Sequence, residues 1–269
     1  MNSKTIMRLL FFIAAGTICY HFAAHAESGD IGQLKAQINR TWGVTIVDGD
    51  LANRIVPLVT KPDRPVTMSD VSALNEPACL RAVMGAFSVY PAKFISSLVS
   101  RVVLADQVHV WSIRTGGFQT SGILALNCDN AVQNELFYQD TVHDELAGLL
   151  LENVTPDENS WLKFDPPGFA YGDMSTYQAA LRSPGSRDGD GILHQDGFVS
   201  SLGLTGINND IETYAEKIFG HPTEFAALIQ SYPAMRGKTR LLMDVYLQQA
   251  PGLKAFFDQS GLTEAAVKQ

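Results

Sequence analysis

The sequence is poor in cysteine, in basic charge and in long apolar runs, and each shortage excludes a class of protein. Its 20 lysine and arginine residues are outnumbered by 28 acidic residues, so the formal net charge is −8. Such a charge disfavours nucleic acid and anionic membrane as partners. Beyond residue 26, no apolar run approaches the ~20 residues of a membrane-spanning helix. No glycine-rich phosphate loop follows a strand, and nothing marks a nucleophile elbow.

The first 26 residues have the layout of an export signal. Lys4 and Arg8 supply a positive start, an apolar run covers residues 9–20, and Ala24-His25-Ala26 puts small residues before a cleavage point. We therefore expect cleavage before Glu27 and a periplasmic or secreted protein without a membrane anchor. An uncleaved N-terminal anchor is the alternative.

Three cysteines are present, and removal of the export signal takes away Cys19. The two that remain, Cys79 and Cys128, favour a disulfide because an exported chain folds in an oxidising compartment. Two buried thiols are the alternative. A bridge would close a loop of about 50 residues, which is worth roughly 3–4 kcal/mol on the loop-entropy model.

After cleavage about 243 residues remain, enough for one large domain or for a small lobe plus a larger one. The patterns predict an α+β chain, with an N-terminal α/β lobe at 27–130 and a mainly helical lobe at 131–269 that contains a long loop at 155–205. Short β-rich runs predict the strands of a small sheet, at 101–105, 108–113 and 122–128.

Three local predictions border this sheet. Residues 67–70 can cap a helix that continues to Tyr90, and the glycine-rich stretch 114–121 is expected to be a turn. A helix is predicted at 131–153, where Phe137 and three later leucines recur with helical period.

This last helix carries His143, Asp144 and Glu145 in a row. Zinc hydrolases of the zincin type place two histidines at positions i and i+4 of a helix, about 40° apart on one face, where they can hold one ion. A glutamate after the first histidine acts as general base toward the metal-bound water. Here Glu145 has the position of the base, Asp144 that of the first ligand and Gly148 that of the second.

Four blocks in order resemble a family of bacterial secreted zinc metallopeptidase-like proteins, related in layout to the catalytic domain of anthrax lethal factor. The resemblance spans residues 70–258. The blocks are Cys79-Leu80-Arg81-Ala82-Val83 through Tyr90-Pro91 to Arg101-Val102-Val103-Leu104, then Gly122–Leu126 with Thr141–Leu146, then Trp161 with Asp165-Pro166-Pro167-Gly168-Phe169-Ala170-Tyr171-Gly172, and finally Gly197–Ser200 with Asn209–Glu216.

The resemblance implies an α+β fold with a single zincin-like domain over residues 27–269, in which a small mixed sheet precedes an active-site helix and a helical lobe. It implies zinc as cofactor, a peptide or protein as substrate, Glu145 as general base, and Asp144 and Asp210 as ligands. His143 is a further candidate ligand, although it lies about 100° round the helix from Asp144. Leu202 falls near the position where relatives carry a tyrosine.

Structural roles compete with these functional ones. His143 can be a buried, hydrogen-bonded histidine, and Glu145 can be a buried carboxylate bonded to residues 161–172. A carboxylate at Asp210 is favoured by the helix dipole in any case. Glu212 and Glu216, four residues apart, can form a solvated helix face.

The aspartates at 188–196 are similar to those of a calcium loop, but Val199 stands where such a loop needs a bidentate glutamate. Two functions therefore remain. The first is an exported metallopeptidase-like hydrolase that uses Glu145, with an altered zinc motif. The second is a non-catalytic module on the same fold that binds a peptide or protein.

Overall fold

The computed structural model describes residues 31–47, 51, 54, 65–183, 187 and 189–267, so the predicted export signal lies outside the described residues. These residues form an α+β fold. The strands are β1 (Thr45–Val47), β2 (Val66–Met68), β3 (Arg101–Ala105), β4 (Val108–Val110), β5 (Ile113–Thr115), β6 (Gly117–Thr120) and β7 (Ile123–Asn127). The helices are α1 (Ile31–Trp42), α2 (Glu76–Ser88), α3 (Ala92–Leu98), α4 (Glu135–Leu151), α5 (Glu158–Leu162), α6 (Met174–Leu181), α7 (Gly191–Gln195), α8 (Ile207–Gly220), α9 (Pro222–Ile229), α10 (Pro233–Gln249), α11 (Lys254–Gln259) and α12 (Leu262–Val267).

The strands form two small sheets. The first has the order β1-β3-β7-β6, with β1, β3 and β7 parallel and β6 antiparallel at one edge. The second has the antiparallel order β2-β4-β5. Every residue of β7 is buried, which is the burial expected of a strand covered on both faces.

Three local predictions needed correction. The stretch 114–121 is not a turn, because strand β6 pairs with β7 there and tertiary pairing outweighs the low strand propensity of glycine. The run at 108–113 is broken into β4 and β5 by Trp111 and Ser112, whose φ angles are both positive. The stretch 67–70 does not cap a helix, because residues 67 and 68 belong to strand β2 and the helix begins later, at Glu76.

A disulfide joins Cys79 to Cys128, as predicted, with the two Cα atoms 5.7 Å apart. It ties α2 to the chain that leaves β7. The bridged residues are 49 positions apart, and a loop of this length is expected to contribute roughly 3–4 kcal/mol to stability.

Helix α4 is the centre of the molecule. Residues 141–150 are all buried, because the helix packs against β6, β7, α2 and α8. A helix buried on every side is expected to be apolar all round, yet this one contains His143, Asp144 and Glu145. Each of these polar groups therefore needs a partner.

The segment predicted as a long loop at 155–205 contains α5, α6, α7 and a 3-10 turn at Ser201–Thr205. Each of the three helices begins at an aspartate whose side chain accepts a backbone N–H, namely Asp157, Asp173 and Asp190. Among the described helices, none is long and apolar enough to cross a membrane.

Candidate functional site

An open cleft of about 770 Å³ runs along the free edge of β6. Its floor comes from α4 and α8, and its far wall from α6 and the 3-10 turn. Its size lies within the range of small-molecule and peptide sites. Asp144 and Glu145, the predicted ligand and the predicted base, both line it. Leu202 lines it as well but supplies no hydroxyl group.

A guanidinium from the loop before α7 lies against the carboxylate of Asp144. Nη2 of Arg187 donates to Oδ2 of Asp144 at 3.1 Å, and Nη1 donates to Oε2 of Glu216 at 2.6 Å. Nζ of Lys217 contacts the other oxygen of Glu216 at 2.6 Å. Arg187 therefore links α4 to α8 through two buried carboxylates.

The two carboxylates respond differently to this guanidinium. Burial raises the pKa of Asp144 to about 6, and the opposing effect of Arg187 is smaller. Burial acts in the same direction on Glu216, but Arg187 and Lys217 together outweigh it and lower its pKa. The pKa of Arg187 itself is raised, because Asp144 and Glu216 outweigh the effect of its burial. The guanidinium is thus permanently charged.

The side of α4 where the second imidazole of a zincin would lie is already filled. A Cβ atom on Gly148 would overlap the side-chain amide of Gln119 and lie 2.7 Å from Oε1 of Glu212. Nε2 of Gln119 donates to Oε1 of Glu212 at 3.5 Å. Residues of β6 and α8 thus meet over Gly148.

Glu145 lies one turn before Gly148 and is 7% exposed. Its carboxylate lies directly beneath Gly117 of β6, so closely that a Cβ atom on Gly117 would overlap it. The glycine at position 117 is what lets the edge strand pass over the carboxylate. Glu145 therefore sits where the cleft, the edge strand and the helix meet.

His143 is not part of the cleft lining. Its Nδ1 is hydrogen-bonded to the hydroxyl of Tyr90 at 2.9 Å, and its ring packs beside Phe219. Burial, with a contribution from His221, lowers the pKa of His143 to about 3, so the ring is neutral near pH 7. Because successive helix residues point about 100° apart, a helix that turns Asp144 toward the cleft turns His143 away from it.

Asp210 also points away from the cleft, into the helical lobe. Its Oδ2 accepts hydrogen bonds from Trp161 and Tyr171, both at 2.8 Å, and from the buried Nζ of Lys238 at 2.7 Å. Nζ of Lys238 also lies 2.5 Å from Oδ1 of Asp165. Burial raises the pKa of Asp210 to about 6 against the opposing effect of Lys238.

The predicted ligands His143, Asp144 and Asp210 thus occupy three separate environments. Asp144 contacts a guanidinium, Asp210 contacts an ammonium, and His143 contacts a phenol. Within the described ranges, no group of three or more His, Cys, Asp or Glu side chains is placed to hold a metal ion. The residues therefore do not fit the three-ligand site that a catalytic zinc requires.

Gln119 and Arg187 are not among the residues predicted from the sequence, and a solvated helix face was one of the alternatives for Glu212 and Glu216. Glu216 is in fact 2% exposed, and Glu212 lines the cleft. The i, i+4 spacing of the two glutamates does place them on one face of α8, but that face packs on α4. No local pattern marks Gln119 or Arg187, because each reaches the site through tertiary packing.

Comparison of the sequence with models of protein families, with curated proteins and with solved structures finds no match.

Proposed function

We propose that this chain is a peptide-binding module built on the layout of a zinc peptidase, and that its cleft holds an extended peptide without cleaving it. The observation that carries the proposal is the replacement of both histidine positions. Arg187 engages the side chain at the first position, and Gln119 with Glu212 fills the space at the second. Glu145, the expected base, then lacks the metal that lowers the pKa of a bound water from about 15.7 to about 7.

The edge strand supports an extended ligand. Ser121 and Gly122 both have positive φ angles, as in a two-residue type I′ hairpin turn. Such a turn makes Thr120 and Ile123 a hydrogen-bonded pair, so the next pair, Gln119 and Leu124, is not hydrogen-bonded. The backbone N–H and C=O of Gln119 therefore point away from β7, toward the open side of β6.

An extended peptide can add to this edge as a further strand, with main-chain hydrogen bonds supplying affinity. The four residues of β6 span about 13 Å at ~3.3 Å per residue, which matches a segment of about four peptide residues. The cleft side of β6 is bordered by the floor of α4 and α8, and these helices would meet the side chains of the added strand.

A proline scan at one position tests this mode of binding. Gln119→Pro removes an N–H that β7 does not use, and proline is tolerated at such edge positions. Gln119→Ala is the matched control, since it truncates the side chain and keeps the N–H. The probe is the best-retained sequence from a degenerate library of peptides about eight residues long, captured on the immobilised mature protein.

We expect Gln119→Pro to weaken binding about tenfold more than Gln119→Ala, which corresponds to the loss of one main-chain hydrogen bond. Circular dichroism of both variants shows whether the fold is kept. Equal affinity of the two variants would exclude strand addition at β6. Recovery of cleaved library peptides that depends on Glu145 would overturn the non-catalytic assignment.

A further inference from the structure

The charge of the cleft lining is strongly one-sided. Among the described residues that line it, five are acidic and one, Arg187, is basic; the acidic ones are Asp144, Glu145, Glu152, Asp173 and Glu212. A concave site lined by one sign of charge focuses the electrostatic field and raises the local concentration of ions of opposite sign.

Arg187 does not cancel this field. Its guanidinium is shared between Asp144 and Glu216. Asp173 accepts hydrogen bonds from Ser175 and Thr176, which lower its pKa to about 2, so it is ionised across the ordinary pH range. The negative charge of Asp173 is therefore present at every pH at which the cleft would bind a ligand.

One acceptor in this lining has no hydrogen-bond partner among the described residues. Oδ1 of Asp144 is buried and unbonded, although Oδ2 of the same carboxylate receives Arg187. Asp144 is only 7% exposed. A buried carboxylate oxygen without a donor is costly, and a donor brought by a ligand would remove that cost.

We infer that the cleft selects peptides that carry a cationic group, and that this ammonium or guanidinium group binds at the carboxylates beside the edge strand. The inference rests on the proposed peptide-binding function and names its ligand class. The added strand would deliver the cation from β6 toward Asp144 and Glu212. Charge-assisted hydrogen bonds to carboxylates are about twice as strong as neutral ones, which makes this group the main source of selectivity.

Two sources can supply the cation, namely a lysine or arginine side chain and a free peptide N-terminus. Four versions of one extended peptide separate them. The first has an internal lysine and an acetylated N-terminus, the second has glutamine in place of that lysine, the third has glutamine and a free N-terminus, and the fourth has glutamate with acetylation. Affinity is measured by fluorescence anisotropy with the mature protein at low salt and at about 0.5 M salt.

We expect the acetylated lysine peptide to bind about tenfold more tightly than its glutamine counterpart, and the difference to shrink at high salt as screening increases. A free-amine glutamine peptide that binds more tightly than the acetylated glutamine peptide would also support the inference, with the N-terminus as source. Equal affinities for all four would overturn the cation selectivity and leave peptide binding intact. No binding of any version would count against the proposed function itself.

Two charge variants locate the selectivity in the cleft. Glu212→Gln and Asp173→Asn each remove one charge with little change in shape, and asparagine still caps α6. Each is expected to reduce the preference for the lysine peptide over the glutamine peptide about threefold. Glu264→Gln, an exposed change on α12, is the matched control and should leave this preference unchanged. If both cleft variants keep the preference of the wild type, the inference is wrong.

Discussion

Arg187 and Asp144 form an ion pair across the cleft floor, with Nη2 of the guanidinium 3.1 Å from Oδ2 of the carboxylate. The pair joins the loop before α7 to the central helix at the position where the resemblance would place a zinc ligand. The side chain of Asp144 is about one tenth exposed and that of Arg187 about one fifth. The stability that such a pair adds is small on balance, but removal of one partner leaves a buried charge without compensation.

Removal of the guanidinium should therefore destabilise the protein in a pH-dependent manner. We expect Arg187→Met to lower the free energy of unfolding by about 2 kcal/mol near pH 8, which is below the usual cost for a fully buried pair because Arg187 is partly exposed. Near pH 5 the loss should be smaller, because Asp144 is then largely protonated. Urea unfolding at the two pH values measures both.

Arg182→Met is the matched control for this prediction. Arg182 is exposed, and its guanidinium donates a hydrogen bond to the backbone carbonyl of Gln178. A change there should stay within about 0.5 kcal/mol at either pH. Equal losses for the two arginine variants would show that the ion pair has no special role.

The buried ammonium of Lys238 should matter more than any surface charge. It is 0% exposed and contacts Asp165 and Asp210. We expect Lys238→Met to cost about 3–5 kcal/mol, because two buried carboxylates lose their cation. Lys254→Met, which breaks an exposed pair with Asp258, should cost less than about 1 kcal/mol. Chemical denaturation of the two variants makes the comparison, and similar costs would refute it.

Asp210 should contribute more to the free energy of unfolding at acid pH than at neutral pH. Its pKa is about 6 in the folded state against an ordinary value of 3.8. The native state thus holds the proton more tightly, so this contribution is fully present below about pH 4 and is lost as the pH rises through 6. One pKa unit corresponds to about 1.4 kcal/mol, so this contribution amounts to up to about 3 kcal/mol.

Asp210→Asn should abolish that contribution, and the difference between wild type and variant is what must be measured. His143 has the opposite effect, because its pKa is lower in the folded state than in the unfolded state. Its contribution to the free energy of unfolding is therefore lost as the pH falls from 6.5 toward about 3. It is unchanged in the variant and cancels in the difference. The unfolding free energies of wild type and variant, measured at several pH values between 4 and 8, should become more alike as the pH falls toward 4. A difference that is independent of pH would contradict the assignment.

The disulfide should be a major stabilising element. Cys79 and Cys128 are 49 positions apart, so loss of their bridge removes a long closed loop from the unfolded chain. We expect this loss to lower the free energy of unfolding by roughly 3–4 kcal/mol. Urea unfolding of the wild type with and without dithiothreitol measures it. The Cys79→Ala, Cys128→Ala double variant is the control, because its stability should not respond to the reductant. A wild type that is equally indifferent would contradict the prediction.

The features that could be predicted from the sequence were those encoded locally. The apolar period located α4, short apolar runs located β3 and β7, and the two cysteines of the mature chain indicated the bridge. Asp144 and Glu145 were placed on one helix, and both do line the cleft. The α+β class follows from the same patterns, whereas the likeness to zincins remains a proposal.

What could not be predicted depends on partners distant in the chain. Strand β6 needs a glycine at position 117 because Glu145 lies beneath it, and that requirement is visible only after α4 and the sheet pack. Asp210 and Glu212 are two residues apart, so a helix directs them to different surroundings, and sequence alone did not say which one faces the cleft. The role of Arg187 depends on a loop that local pattern does not place.

The most direct test is to incubate the zinc-equilibrated mature protein with its best-retained library peptide. Zinc content is measured by elemental analysis, binding by calorimetry and peptide integrity by mass spectrometry. We predict saturable binding, an intact peptide and less than about a tenth of an equivalent of zinc, since the three ligands of a catalytic site are not assembled. About one equivalent of zinc, together with cleavage that Glu145→Gln abolishes, would contradict the assignment as a non-catalytic peptide-binding module.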